Sequence, residues 1–229
     1  METRVNQIEL NGLTFQYRES GHPSAAPIVA LHALGKSAET WDQVAVALGE
    51  NYRVLALDQR GHGGSTRVGT YSFELMCDDL LHFVNAMNLD QFTLLGQSMG
   101  GTVSYLFSEK FPSRIERLIV EDTPPPFPDK PIEIPSKPPG SLPFDWLVVP
   151  SILTQLNDPN PQWWARLKDI IKPTLIIGGG SSHIPQHKLQ EVSELIPTCE
   201  LVTIDHAGHF VHDDNLPAFI AAVKSFLHS

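Results

Sequence analysis

The feature that most constrains this chain is an alternation that runs through most of its length. Short apolar runs rich in Val, Ile and Leu alternate with segments of helical spacing, except after the fourth run. The runs are Ile28 to Leu31, Arg53 to Leu57, Phe92 to Leu95, Arg117 to Val120, Thr174 to Ile177 and Leu201 to Ile204. Apolar stretches this short, with little polar alternation, are read as strands buried on both faces, the condition of a parallel sheet. Between them, Ala38 to Leu48, Phe73 to Met87, Thr102 to Phe111, Gln186 to Ile196 and Leu216 to Leu227 place apolar residues three and four apart. That order calls for right-handed crossovers. It predicts an α/β fold with a doubly wound, mostly parallel sheet whose ligand site lies beyond the carboxyl ends of the strands. Ahead of it, Ile8 to Tyr17 alternates in polarity around Asn11-Gly12, a pair that supplies the positive φ values of a tight turn, so an antiparallel hairpin opens the fold.

Composition narrows the partners. A chain of 229 residues, 41% hydrophobic and 18% charged, suits one globular domain. A formal charge of -10, with no Lys/Arg cluster to offset it, repels a phosphate backbone and excludes nucleic acid as a partner. The apolar runs are too short to span a bilayer, and the first thirty residues hold no apolar stretch flanked by basic residues. Cys77 and Cys199 form no redox or metal pair. The expectation is a cytoplasmic protein without membrane partner, disulfide or thiolate zinc site.

One segment breaks the rhythm. Thr123 to Pro161 holds twelve of the nineteen prolines, and Trp146, Trp163 and Trp164 fall in or just after it. A disordered linker is one reading, but Phe127, Phe144, Trp146, Leu147, Val148, Val149 and Leu153 are too apolar for that. The segment is expected to be a small irregular cap, 123–169, inserted into a core domain made of 1–122 and 170–229. Phe127, Phe144 and Trp146 are expected to wall its substrate side.

Gly96-Gln97-Ser98-Met99-Gly100 follows an apolar strand and precedes a helical segment. In that setting small flanking residues let a strand turn sharply into a helix and leave the serine exposed. A serine hydroxyl is a poor nucleophile near neutral pH unless a histidine accepts its proton. Of the ten histidines, His209 alone has a preceding glycine and lies just past the last expected strand, in Asp205-His206-Ala207-Gly208-His209-Phe210. His206, His209, His212, Asp213 and Asp214 could also be read as a metal cluster, but no second ligand group recurs at a recognisable spacing, and no metal is expected. Hydrolysis further needs two amides aimed at the developing oxyanion. The Met99 amide, next to the nucleophile, is one. The second should come from the loop after an earlier strand, here His32-Ala33-Leu34-Gly35.

Four motifs thus occur in order: His32 to Gly35, Asp58-Gln59-Arg60-Gly61-His62-Gly63-Gly64-Ser65, the Ser98 pentapeptide and Gly208-His209. In this the chain resembles the α/β-hydrolases over nearly its whole length. The resemblance implies an H-G-x-G-like oxyanion loop with Leu34 as donor, although Ala33 stands where glycine is usual. The Asp58 to Ser65 segment looks like the family's D-x-R-G-x-G-x-S turn, which shapes a loop and gives His62 no catalytic role. Family members usually supply the acid that orients the histidine after the strand equivalent to Thr174 to Ile177. Here that loop reads Gly178-Gly179-Gly180-Ser181-Ser182-His183 and has no carboxylate. A subset of serine esterases places the acid after the preceding strand with a proline soon following. Val120-Glu121-Asp122-Thr123-Pro124 is similar to that arrangement and implies Asp122, with Glu121 and Asp205 as the other acidic candidates.

The function expected from this set is hydrolysis of small or medium hydrophobic carboxylic esters by a Ser98-His209-Asp122 acyl-enzyme mechanism, without cofactor. A serine at the elbow disfavours the dehalogenases and epoxide hydrolases of the fold, which use aspartate. A carbon-carbon bond hydrolase of the same fold and a non-catalytic receptor or regulatory protein remain the alternatives.

Overall fold

The computed structural model describes residues 3–229. Strands β1 (Arg4–Leu10) and β2 (Leu13–Ser20) form the opening hairpin. Asn11 and Gly12 adopt φ of 52° and 77° between them, as a two-residue turn with two left-handed residues requires. The chain continues through β3 (Ala26–Leu31), α1 (Asp42–Leu48), β4 (Tyr52–Leu57), α2 (Phe73–Ala86), β5 (Phe92–Gln97), α3 (Met99–Lys110) and β6 (Ile115–Glu121). Helices α4 (Val148–Asn157) and α5 (Gln162–Ala165) belong to the inserted segment. The core resumes with β7 (Thr174–Gly179), α6 (Gln186–Leu195), β8 (Cys199–Ile204), α7 (Val211–Asp214) and α8 (Leu216–His228).

The eight strands lie in the order β1-β2-β4-β3-β5-β6-β7-β8, with β2 antiparallel to both neighbours and β3 to β8 mutually parallel. The chain leaves β3 toward β4 on one side and leaves β5 toward β6 on the other. The strand order therefore reverses between β3 and β5, which opens a crevice at their carboxyl ends. The His32 to Gly35 loop and Ser98 follow these two strands.

Alternation along each strand divides the core into two layers. Ile28, Val54 and Leu95 point to a face covered by Val44 and Leu48 of α1 and Phe219 and Val223 of α8. Val29, Leu55, Leu94 and Val120 point to the other, covered by Phe83 of α2, Val103 and Phe107 of α3 and Leu189 of α6. Each such fully buried side chain contributes about 1.5–3 kcal/mol. A sheet clad on both faces in this way presents only its edges and loop ends for function.

Strands β5 and β7 run two residues further than the apolar pattern predicts, through Gly96-Gln97 and Gly178-Gly179. These glycines read as loop residues, yet they pair with the neighbouring strands, and glycine is needed there because other groups approach the backbone closely. A Cβ on Gly179 would sit 2.1 Å from the Gly208 carbonyl oxygen. The insertion also departs from an irregular cap throughout: residues 128–141 are exposed coil, but α4 and α5 are regular and bury Val148, Val149, Ile152 and Trp163. Trp164 Nε1 donates to the carbonyls of Pro125 (3.2 Å) and Pro126 (2.9 Å), which anchors the proline run to the later helices. Among the described residues no helix is long and apolar enough to cross a membrane, and both cysteines are free.

Candidate active site

Ser98 stands at the junction of β5 and α3 with φ 55° and ψ -118°, a conformation sparsely populated by residues with a side chain and costing about 1–3 kcal/mol. The flanking glycines make this turn possible. A Cβ on Gly96 would lie 2.3 Å from Ser104 Oγ, and one on Gly100 would lie 2.3 Å from the Leu31 carbonyl oxygen. Helix α3 begins at Met99, three residues earlier than its apolar spacing indicates, because the elbow delivers the chain directly into helical geometry. The Ser98 amide donates to Thr123 Oγ1 at 2.7 Å.

His209, on the loop after β8, turns its Nδ1 to Asp122 Oδ2 at 2.9 Å. Asp122 is fully buried at the end of β6, in a left-handed conformation (φ 45°) that points its carboxylate back toward the next strand. There Oδ1 accepts from the Gly179 amide (2.9 Å) and Gln186 Nε2 (3.2 Å), and Oδ2 accepts from Ser182 Oγ (2.5 Å). The loop after β7, which lacks a carboxylate, therefore binds one instead. With Asp122 accepting at Nδ1, the imidazole carries its proton there and leaves Nε2 free as a base. No hydrogen bond joins Ser98 Oγ to His209 among the described residues, and in unliganded sites such contacts are commonly longer.

The neighbouring acid is engaged elsewhere. Both oxygens of Glu121 face His212 Nδ1, at 2.8 and 2.7 Å, and Oε1 also accepts the His212 amide at 3.0 Å. His212 Nε2 lies 3.0 Å from Thr40 Oγ1, and its ring stacks on Trp41 with centroids 4.5 Å apart. Asp205 is exposed, and Glu191 pairs with Lys188 at 2.7 Å.

On the β3 side, the left-handed residue of the loop is Gly35 (φ 76°), so Ala33 needs no glycine-only conformation. The amides of Leu34 and Met99 have no acceptor among the described residues. Two buried histidines brace this loop. His62 Nε2 accepts from the Gly35 amide at 3.1 Å, and His32 Nε2 accepts from the Gln59 amide at 3.0 Å. Burial pushes the two imidazoles down to about 3 and about 4, so both stay neutral and keep the acceptor that each amide requires.

Ser98, Met99, Leu34 and His209 open onto one cavity of about 390 Å³ roofed by Phe127 and by Ile152 and Leu156 of α4. Phe127 is held edge-on by Trp164 with centroids 6.3 Å apart. Phe144 and Trp146, expected as substrate walls, are not among the residues that line it. Phe144 instead bridges to His62, stacks on its ring at 5.7 Å and lies 3.3 Å from where a Gly35 Cβ would be, bracing the β3 loop from outside. The adjacent Asp145 amide donates to the Gly61 carbonyl at 2.7 Å, which ties this stretch to the Asp58 to Ser65 turn and carries the half-buried Trp146 away from the cavity. A wider, open depression of about 520 Å³ between β8 and α8 contains neither Ser98 nor His209. Thr123 and Gln186 carried no recognisable sequence signal, because their roles rest on contacts 25 and 64 residues away.

A parallel sheet with a serine elbow at its switch point and a histidine on the last βα loop defines a class of hydrolases. The model of the alpha/beta hydrolase fold family matches residues 26–145, more than half of the chain. The chain belongs to that family. It is 29% identical over 253 residues to the sn-1-specific diacylglycerol lipase ABHD11 of Danio rerio, covering 90% of this chain and 80% of the relative, and 28% identical to the Mus musculus protein of the same name, covering 90% and 82%. Among solved structures, the thioesterase domain from the curacin biosynthetic pathway superposes with a TM-score of 0.86 at 20% identity over 98% of this chain and 100% of that one, a likeness of fold alone.

Proposed function

We propose that this hydrolase is a serine esterase that cleaves small or medium hydrophobic carboxylic esters through an acyl-enzyme. The observation that carries the reading is the 2.9 Å contact between His209 Nδ1 and the buried Asp122 carboxylate, in a site where His209 and Ser98 share one apolar cavity. Ser98 Oγ attacks the acyl carbon while His209 Nε2 accepts its proton, and Asp122 stabilises the imidazolium that forms. The Leu34 and Met99 amides receive the oxyanion. His209 then protonates the leaving alkoxide, and a water activated by the same imidazole attacks the acyl-enzyme and releases the acid.

Phe127, Ile152 and Leu156 fit an apolar acyl group, and Asp129, Lys130 and Asn157 place polar groups at the cap end. A volume of about 390 Å³ is at the small end of ligand pockets. That favours short acyl esters over the bulk of a diacylglycerol, the substrate in the names of the fish and mouse relatives.

The test is covalent labelling by a fluorophosphonate combined with steady-state hydrolysis of nitrophenyl esters of increasing chain length. The expected result is an adduct on Ser98, lost in Ser98→Ala, and turnover well above one per site that declines for long chains. Folded protein that takes no label, or labels equally in Ser98→Ala, overturns the proposal. Binding without turnover favours a receptor, and turnover of vinylogous diketones alone favours a carbon-carbon bond hydrolase.

A further inference from the structure

Three consecutive residues, Glu121, Asp122 and Thr123, meet three parts of the site. Glu121 holds His212, Asp122 holds His209, and Thr123 reaches the nucleophile itself. The first two contacts involve the histidine loop. The third connects the acid-bearing strand to the elbow.

Thr123 is clamped onto the start of α3 at three points. Its Oγ1 accepts the Ser98 N–H at 2.7 Å and donates its own proton to the Glu121 carbonyl at 2.8 Å, so the hydroxyl is used in both directions. Its carbonyl accepts from Tyr105 Oη, on the same helix as the elbow, at 3.0 Å. Its side chain lies against Gly101, where an added Cβ would come 3.0 Å from Thr123 Cβ. Thr123 is 7% exposed and lines the cavity that contains Ser98.

The elbow leaves one problem open. At φ 55° and ψ -118° the half-buried Ser98 amide has no backbone acceptor, and an amide shielded from water without a partner is unfavourable. Thr123 Oγ1 accepts it instead. The hydroxyl is itself fixed by the Glu121 carbonyl, one peptide from Asp122, so the amide of the nucleophile is referenced to the strand that positions the acid.

We infer that Thr123 is a positioning residue: its hydroxyl holds the Ser98 backbone in the attacking conformation and sets the spacing between the nucleophile and the Asp122-His209 pair. The inference rests on the serine-hydrolase reading for its effect on rate, but not for its effect on the Ser98 amide.

The experiment compares Thr123→Val, which keeps the shape and deletes the hydroxyl, with Thr123→Ser, which keeps the hydroxyl, in the full chain. Thr123→Val is expected to lower kcat and the fluorophosphonate labelling rate together by about 10- to 100-fold while KM changes by less than about threefold, the signature of an interaction needed for the reacting geometry. Thr123→Ser should recover most of both rates. Amide hydrogen exchange at Ser98, followed by NMR, should accelerate in Thr123→Val by about tenfold or more relative to the amides of β5, and not in Thr123→Ser. Equal kcat in wild type and Thr123→Val, equal losses in both variants, or unchanged exchange at Ser98 would each overturn the inference. A wild-type protein that neither labels nor hydrolyses esters ends the esterase proposal, and the exchange comparison still decides the role of Thr123. If Thr123→Val does not fold, Thr123→Ala and Thr123→Ser are compared by the same exchange measurement, with acceleration in the alanine variant alone as the supporting result.

Discussion

Glu121 and Asp122 are neighbours in the chain, His209 and His212 are three residues apart, and the structure pairs them crosswise into two carboxylate–imidazole contacts of similar length. The pairs differ in what surrounds them. Asp122-His209 is sealed at the carboxylate and open at the imidazole, whose Nε2 side faces the cavity that holds Ser98. Glu121-His212 is sealed at both ends: Thr40 meets the far nitrogen and Trp41 covers the ring. A buried acid turns a histidine into a base only where the other ring nitrogen can reach a substrate. The same pair closed off from solvent is a strut, and it holds the start of α7 against the end of β6, one turn beyond His209.

The sharpest way to break this contrast is at Asp122. Asp122→Asn keeps an acceptor for the Gly179 amide and should fold, yet turnover should fall by about 10⁴, the loss seen when a triad aspartate becomes an amide. Steady-state kinetics on the folded variant decide it, and a rate within about threefold of wild type, a barrier change under 1 kcal/mol, would remove Asp122 from the mechanism.

Glu121 should fail in the opposite way. Glu121→Ala leaves the His212 amide and Nδ1 buried without their acceptor and is expected to cost about 3–5 kcal/mol in unfolding free energy, read from urea denaturation. At temperatures where the variant is folded, kcat should stay within about tenfold of wild type, because neither Glu121 nor His212 lines the cavity that holds Ser98. A large loss of kcat at full stability would mean that the strut takes part in the reaction.

A smaller effect separates the pairs by pH. Burial lowers the affinity of the His212 imidazole for its proton, but the hydrogen bond and charge of Glu121, with a contribution from Asp213 and against Lys36, raise it above the ordinary value overall. Its stabilisation is therefore complete below the ordinary imidazole value of about 6.5 and is lost as pH rises through the raised folded value. The stability difference between wild type and Glu121→Gln should be larger near pH 5.5 than near pH 9, by about 1 kcal/mol or less. His32 and His62 act with the opposite sign. Held neutral with values of about 4 and about 3, they contribute stability above the ordinary imidazole value that is lost as pH falls toward those values. A difference between wild type and Glu121→Gln that is flat with pH would show that His212 stays neutral in the fold.

The smallest effect is expected at Asp205, the third acid near the histidine loop. It is exposed, and Asp205→Asn should change stability by less than about 0.5 kcal/mol and leave kcat unchanged. A loss of activity there would favour Asp205 over Asp122 as the acid that serves His209.

What the sequence determined by itself is local. The Asn11-Gly12 turn, the apolar strands, the helices after them and the Gly-x-Ser-x-Gly elbow all depend on φ/ψ preferences and on periods of two and 3.6, which a chain carries within a few residues. The class of fold, and with it the placing of Ser98 and His209 at the carboxyl edge of the sheet, follows from the order of those elements. What the tertiary structure alone decided is pairing across long separations. That Asp122 meets His209 while Glu121 meets His212 depends on the left-handed turn at Asp122 and the path of the loop after β8, and adjacent carboxylates look alike in a sequence. Phe144 and Trp146 were as apolar as Phe127, yet a bridge to His62 turns Phe144 onto the β3 loop while Trp164 holds Phe127 over the cavity. Thr123 carried no signal, because a hydroxyl gains its role from the amide it meets, and that amide is 25 residues away. Hydrophobicity states that a side chain will be covered; the packing of the rest of the chain states by what.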